Sequence, residues 1–446
     1  MRTSDRKWVI GLTAVSLICL CLNFTFYPAG SVPSAQENQS SASLAQKDLP
    51  SVSFRTMLEE NEGMEDLVKQ SIAAAAEINP DRKTNPVQSL SELYPFLDYS
   101  VTCMPWNIMQ NERYKNFATM CDQSILYLYW LFDQPLECLK KEDLFYPSLQ
   151  YLKPVYTWLS TYNNSWRDFL DTKASWKPEY CDMLAKDPTW HLDQGWYESR
   201  DHWTTFNEFF SRKLSSASVR PVSGKDDSTV VVSPADSLPQ GVWQIDQDGR
   251  FEADPIQTEQ GVTIKDSTFV TVEQLLGEPG AAYAPLFHGG RLTHTYLNYD
   301  DYHRYHSPVS GTVKAVYIIP YANAVGGVVY WDPQKQLYVL SSSSLSWQCC
   351  ETRGVLLIET DHGMAALIPV GMGQVSSVNF VERIQPGARI EKGDEVGYFL
   401  FGGSDCVMLF EEKAGFTLTA PAGGSGSYSD GYAHIFCNEE YGRFAG

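Results

Sequence analysis

The stretch FLFGGSDCVMLFEE, residues 399–412, places two apolar segments on either side of a double glycine, a serine and an aspartate. Residues 406–410 are typical of a buried strand, whereas a double glycine weakens a strand interior and marks a bulge or a close backbone approach. A hydroxyl that follows Gly402 and Gly403 directly can therefore come close to the main chain. The stretch predicts a strand that carries a serine of special purpose, Ser404, near its start.

Short apolar or alternating segments continue from residue 230 onward, separated by Gly, Pro and Asp turns. Examples are TVVVSP, GTVKAVYIIP, GVVYW, QLYVLSS, GVLLIET and EVGYFLF, and TVEQLLGE is the clearest helical interruption. Many short strands between turns favour a β-rich, sandwich-like domain. Residues 54–200 instead show helical apolar spacing broken by prolines. The predicted fold class is α+β, with a mainly helical region at 54–200 followed by a β-rich domain at 201–446.

The first thirty residues form a separate segment. Three basic residues, Arg2, Arg6 and Lys7, precede a run without charge from position 9 to position 26. This pattern favours an uncleaved membrane anchor that leaves the bulk of the chain outside the cytoplasm, and a cleaved signal peptide is the alternative. Residues 31–53 are rich in Ser, Gln and Ala, which predicts a flexible tether.

Composition excludes some classes of function. The chain has 34 Lys and Arg against 54 Asp and Glu, a formal charge of -20, so a nucleic acid partner is not expected. No His and Cys spacing typical of a metal site occurs, and no metal is predicted. The cysteines beyond the first thirty residues, four of them between positions 103 and 181, permit disulfides if this part of the chain is extracytoplasmic.

Three polar residues of the β-rich domain are candidates for chemistry. His303 and His306 stand three apart in DDYHRYHSPVSG, and Asp236 follows an apolar strand in VVSPADSLPQG. Each has an ordinary interpretation, since a histidine can bond neighbouring backbone groups and an aspartate is common in turns. Taken separately, none of the three indicates a function.

Together with the opening stretch, these segments resemble the phosphatidylserine decarboxylase family. The resemblance covers about residues 201–412 and rests on several motifs in the same order and with similar spacing. The motifs are FNEFFSRKL followed by RPV, then SPAD, DYHRYHSPVSG, VLLIETDHGMAALIPVG and KGDEVGYFLFGGS. The chain differs from the family pattern at Asp405, where Thr or another small residue is usual, and at Ser237, where Gly is usual.

The resemblance implies a proenzyme that cleaves its own chain between Gly403 and Ser404. Ser404 would become a pyruvoyl group, which replaces an external cofactor, and the two fragments would stay associated. By the same resemblance His306 would be the base, and Asp236 would orient it. His306 is also the candidate proton donor to the substrate, because a histidine can titrate near neutral pH. His303 is the secondary candidate for the donor.

The same resemblance gives phosphatidylserine as the expected substrate and phosphatidylethanolamine as the product, and the anchor segment suggests a membrane partner. The alternative is a free aromatic amino acid such as tryptophan, because the N-terminal region resembles the added domain of relatives that decarboxylate such substrates. A third alternative is a family member without catalytic activity.

Overall fold

The computed structural model describes residues 49–114, 116–142, 144–252, 269–320, 327–341, 347–372, 377–423 and 431–446. Its α-helices, labelled in chain order, are α1 Pro50–Glu60, α2 Met64–Ile78, α3 Leu90–Ser100, α4 Phe117–Phe132, α5 Lys153–Leu170, α6 Pro178–Leu184, α7 Phe206–Phe210 and α8 Val272–Gly280. Its strands are β1 Val230–Val232, β2 Leu238–Gln244, β3 Arg250–Glu252, β4 Phe269–Thr271, β5 Arg291–Leu297, β6 Arg304–His306, β7 Gly311–Ile319, β8 Val328–Asp332, β9 Leu337–Ser341, β10 Thr352–Thr360, β11 Gly363–Met372, β12 Val378–Phe380, β13 Arg389–Ile390, β14 Glu395–Phe399, β15 Gly403–Phe410, β16 Thr417–Leu418 and β17 Glu440–Arg443.

The largest sheet has seven strands in the order β13, β7, β10, β11, β15, β5, β2, and each neighbouring pair is antiparallel. Strand β15, which carries the stretch quoted first, is an interior strand between β11 and β5. Its residues therefore bond to a neighbour on each side.

Alternation along β15 sends its side chains to two different cores, because successive residues of a strand point to opposite faces. Met408 and Phe410 join a core that includes Tyr305, while Val407 and Leu409 join the other core. The first face is covered by two three-stranded sheets, β12-β14-β6 and β1-β17-β16, and the second by helix α8. A layered β-rich part preceded by helices confirms the predicted α+β class.

Helix α4 lies at the centre of the helical region, and the aromatic residues of that region form one large core around it. This core also contains residues from the second half of the chain, including Tyr302, Phe401 and Tyr338. Tyr338 lies on the β8–β9 hairpin and contacts the ring of Trp130 at 4.8 Å between centroids. The hairpin, predicted only as part of the β-rich domain, is thus an arm packed into the helical core.

Several sequence predictions concern the start of the chain. The anchor at residues 1–30 and most of the tether lie outside the described residues, and helix α1 begins at Pro50, so residues 50–53 are helical. Among the residues with a described structure, no helix combines the length and apolar character needed to cross a membrane. The described cysteines with assigned side chains, including the four between positions 103 and 181, are unpaired.

Candidate active site

Ser404 is the second residue of β15, opposite Leu297 of β5 and Gly371 of β11. Its side chain is fully buried, and its Oγ has no hydrogen-bond partner among the described residues. A buried hydroxyl is normally paired, because leaving it unpaired costs free energy. This hydroxyl therefore needs an explanation beyond packing.

The backbone before Ser404 accounts for the first of the two glycines. Gly402 has a φ of 153°, a backbone conformation that a side chain disfavours. Phe401, directly before it, is buried in the helical core and contacts the rings of Phe210 and Phe206 at 5.2 and 5.3 Å. The chain thus turns from the helical core into the sheet at the point that was predicted to be cleaved.

His303 lies next to this turn, since its ring contacts Phe210 at 3.9 Å between centroids. Its Nδ1–H donates to the carbonyl oxygen of Asp301 at 2.9 Å, and its Nε2 is buried without a partner among the described residues. Burial, and then the Arg212 cation, lower the pKa of His303 well below its usual value. The imidazole is therefore neutral, and its free lone pair is on Nε2.

His306 has both ring nitrogens engaged. Its Nδ1–H donates to the carbonyl oxygen of Gly393 at 2.8 Å, and its Nε2 accepts from the hydroxyl of Tyr302 at 3.2 Å. Burial lowers the pKa of His306. Its backbone N–H bonds to the carbonyl of Pro234, so His306 lies directly against the turn that carries Asp236.

Asp236 is paired with Arg220, for which the sequence analysis predicted no role. The guanidinium of Arg220 donates to its carboxylate at 2.6 and 2.9 Å, and the backbone N–H of Cys437 donates at 2.8 Å. Both side chains of the ion pair are buried. No hydrogen bond links Asp236 to His306, or His306 to Ser404, within the described residues. The expected hydrogen-bonded Ser-His-Asp arrangement is therefore not formed in this structure, because Arg220 occupies the carboxylate and Tyr302 the imidazole.

Arg212, like Arg220, lies near the site and was missed by sequence reasoning. Arg212 is fully buried, donates to the carbonyl oxygens of Asp300 and Asp301, and lies over the ring of Tyr197. It thereby fixes the loop that carries His303. Both arginines could have been noticed in the sequence, because Arg212 lies within the motif FNEFFSRKL and Arg220 begins the motif RPV. The sequence does not show what either side chain contacts.

The side chains of the site indicate which kind of cofactor it could use. Among the described residues, no group of His, Cys, Asp or Glu side chains is arranged to hold a metal ion. Ser404 offers a buried hydroxyl that no other described group uses, which is what a pyruvoyl group made from the chain itself would need.

The sequence comparisons match the segment that carries these residues. The family model for phosphatidylserine decarboxylase matches residues 206–426, which include both histidines, Asp236 and Ser404. The phosphatidylserine decarboxylase proenzyme of Myxococcus xanthus is 32% identical over 229 residues, which are 48% of this chain and 72% of that protein. The chain belongs to the phosphatidylserine decarboxylase family. The resemblance inferred from the motifs is thereby confirmed.

Other family relatives are matched over less of their length. Phosphatidylserine decarboxylase proenzyme 2 of Oryza sativa subsp. japonica is 31% identical over 216 residues, which are 47% of this chain and 30% of that protein. The L-tryptophan decarboxylase of Psilocybe cubensis is 26% identical over 218 residues, 46% of this chain and 45% of that protein. The chain thus covers under a third of the rice relative and under half of the fungal one.

Proposed function

We propose that this protein cleaves itself between Gly403 and Ser404 and then decarboxylates phosphatidylserine to phosphatidylethanolamine. The observation that carries the proposal is the buried hydroxyl of Ser404, which has no partner in the part of the chain that the structure describes. It lies directly after two glycines and inside the segment that matches the family model. A hydroxyl left without a partner at a cost in stability is available to act as a nucleophile once a base takes its proton.

The proposed cleavage begins when Oγ of Ser404 attacks the carbonyl carbon of Gly403. The bond from that carbon to the nitrogen of Ser404 breaks, and the amide becomes an ester. Loss of the α-proton of residue 404 then expels the Gly403 carboxylate and leaves dehydroalanine. Addition of water and release of ammonia convert this residue to a pyruvoyl group. The glycines allow the hydroxyl to approach the carbonyl.

A base must take the hydroxyl proton of Ser404. His306 is the proposed base, as the family pattern implies, and it can act once the Tyr302 hydroxyl turns away from its Nε2. The pair of Asp236 with Arg220 holds the turn on which the backbone of His306 rests. His303 is the alternative base, because its Nε2 is neutral and unpaired among the described residues. His306 is likewise the proposed proton donor to the substrate, with His303 as the alternative.

The group at residue 404 would serve as the electron sink when carbon dioxide leaves the substrate. The chain supplies its support, since β15 is held by β5 and β11 on its two sides. After cleavage the small fragment, residues 404–446, would contribute β15, β16 and β17 to two sheets. So many shared strands support the proposal that the two fragments stay associated.

Decarboxylation of a free aromatic amino acid is the second candidate. It is supported by the similarity to a relative named L-tryptophan decarboxylase. The helical region before residue 206 also shares a core with Phe401, three residues from the proposed reactive group. The lipid substrate is supported by the closer identity of relatives named for phosphatidylserine and by the apolar segment at residues 9–26, for which we propose a membrane anchor with the remaining chain outside the cytoplasm.

The first test is the intact mass of the purified protein. We expect one fragment that ends at Gly403 and one that spans 404–446 and begins with a pyruvoyl group. A single uncut chain would contradict self-cleavage, and a scaffold role would then be the better account.

The second test separates the substrates. Vesicles that contain phosphatidylserine should yield phosphatidylethanolamine and carbon dioxide, and borohydride or hydroxylamine, which attack a reactive ketone, should stop the reaction. Release of carbon dioxide from free tryptophan or tyrosine, with vesicles unchanged, would favour the second candidate. A cleaved protein that acts on neither would contradict both substrate assignments.

A further inference from the structure

A second histidine and carboxylate pair lies directly beside the cleavage point. His294 of β5 faces Asp405 of β15, and its Nδ1 is 3.1 Å from Oδ1 and 3.0 Å from Oδ2 of the carboxylate. The two residues are diagonal neighbours, since Asp405 is opposite Tyr296 and His294 is opposite Val407. The side chain of His294 is 5% exposed and that of Asp405 is fully buried.

The surroundings hold the pair in a single arrangement. Gln348 donates a hydrogen bond from Nε2 to Oδ2 of Asp405 at 3.2 Å. The indole of Trp243 stacks on the His294 ring at 5.3 Å between centroids, and the hydroxyl of Tyr441 donates to the His294 carbonyl. The remaining nitrogen of His294, Nε2, is buried with no partner within the described residues. Asp405 is therefore the one group among the described residues that bonds to the imidazole.

The pair joins the two parts of the chain that lie on either side of the proposed cleavage point. Asp405 is covalently bonded to residue 404, and its side chain points to the sheet face opposite that of Ser404 because successive residues alternate. Strand β5 belongs to the part of the chain before Gly403, whereas Asp405 belongs to the part after it. The pair therefore links the two proposed fragments at the second residue of the new chain end.

A chain terminus newly formed by cleavage tends to become disordered, because it loses the covalent constraint of the residue before it. Residue 404 is where both proposed reactions occur, and a reacting group displaced by about 1 Å can lose about 100-fold in rate. Besides the backbone hydrogen bonds of the sheet, the bond between the Asp405 side chain and His294 restrains residue 404, because Asp405 is its direct neighbour in the chain.

We propose that His294 and Asp405 are a positioning pair that holds residue 404 in register, first for self-cleavage and then as the reactive end of the small fragment. This inference rests on the proposed self-cleavage. It gives a role to Asp405, which differs from the residue usual in the family, and to His294, which sequence reasoning did not select. Neither side chain is assigned a contact with the substrate.

The test compares His294→Leu, which removes the partner, with His294→Gln, whose amide can still donate to Asp405. Each protein is synthesised in a cell-free system, and the fraction cleaved is followed by intact mass. We expect cleavage to slow about tenfold or more in the leucine variant and to recover much of its rate in the glutamine variant. Asp405→Asn should also be slower than the wild type.

The mass of the small fragment provides a readout that a structural role would not change. If residue 404 is misplaced, water will compete at the ester and leave serine at the chain end instead of pyruvoyl, a difference in mass that the spectrum resolves. Borohydride labelling of the fragment should fall in parallel. His288→Gln is the matched control, because His288 forms a similar pair with Glu273 at 2.9 Å in a part of the fold away from residue 404.

The outcomes are distinguishable. If the wild type and all variants cleave at the same rate, with pyruvoyl intact, the positioning role is wrong although the proposed function stands. Loss of thermal stability without a change in rate or end group would likewise reduce the pair to a structural contact. If the wild type itself is not cleaved, the proposed function and this inference both fail. Should the leucine variant fail to fold, the glutamine and asparagine variants decide.

Discussion

Replacing Arg220 by Met should leave the carboxylate of Asp236 buried with only one of its present donors, the backbone N–H of Cys437. The ion pair it would lose is bidentate, at 2.6 and 2.9 Å, and both side chains are buried. Removing one partner of such a pair costs about 3–5 kcal/mol of the free energy of unfolding, because the remaining charge has no compensation. Loss of the guanidinium contacts with the rings of Trp196 and Phe436 adds about 0.5–1 kcal/mol.

The measurement is equilibrium unfolding in urea, followed by tryptophan fluorescence. It is best made with Ser404→Ala also present, so that every molecule is one covalent chain. The double variant Arg220→Met with Asp236→Leu should recover most of the loss, since an apolar pair of similar volume replaces a buried ion pair with little cost. Arg200→Met, which removes an exposed pair with Asp182, is the control and should leave the midpoint unchanged.

A loss below about 1 kcal/mol for Arg220→Met would refute the reasoning, because that is the value of a solvated surface pair. The same variant, with Ser404 restored, should cleave more slowly than the wild type. Asp236 lies on the turn that supports His306, and it would no longer be fixed by the guanidinium. Cleavage at the normal rate would mean that the pair stabilises the fold without preparing the site.

Three further predictions concern the site and its surroundings. Ser404→Ala should give a single uncut chain by intact mass, and any cleavage that remained would move the nucleophile elsewhere. His306→Ala should slow cleavage by about 100-fold or more, and His303→Ala should slow it less; the reverse order would make His303 the base. Burial alone would lower the pKa of His434, but the Asp301 carboxylate, 2.8 Å away, raises it to about 9, so the stabilisation by the protonated imidazole is lost as the pH rises from 6.5, its unfolded pKa, towards 9. Burial raises the pKa of Asp301 to about 6, so the pH series starts above that value. His434→Gln should flatten that fall in the urea midpoint, and an unchanged pH profile would assign it to other groups.

The proposed location of the chemistry could be derived from the sequence because it depends on local patterns. The double glycine, the serine and the apolar residues after them lie within one short stretch, and the backbone at Gly402 adopts the conformation that glycine favours. Helix α8 was also predictable, since Thr271 and Gln274 form a capping box directly before its apolar residues. In such cases the residues that decide the structure are neighbours in the chain.

The bonds of the site were not predictable, because they depend on which distant segments come together. Asp236 pairs with Arg220 instead of with His306, and a free ring nitrogen lies on His303, since the burial and partners of each ring are set by surrounding strands and loops. In the motif DYHRYHSPVSG both histidines follow a tyrosine, so the sequence does not distinguish their environments.

The sequence by itself determined the α+β class and the family, and it selected Ser404 as the candidate nucleophile, because short-range periodicity and motif order carry this information. Only the tertiary structure decided that His294 meets Asp405 across 111 positions and that the β8–β9 hairpin enters the helical core. Strand register selects which side chains share a face, and a shift of one residue would send Asp405 to the opposite face. Register is set by long-range pairing, and the local sequence around either residue does not contain it.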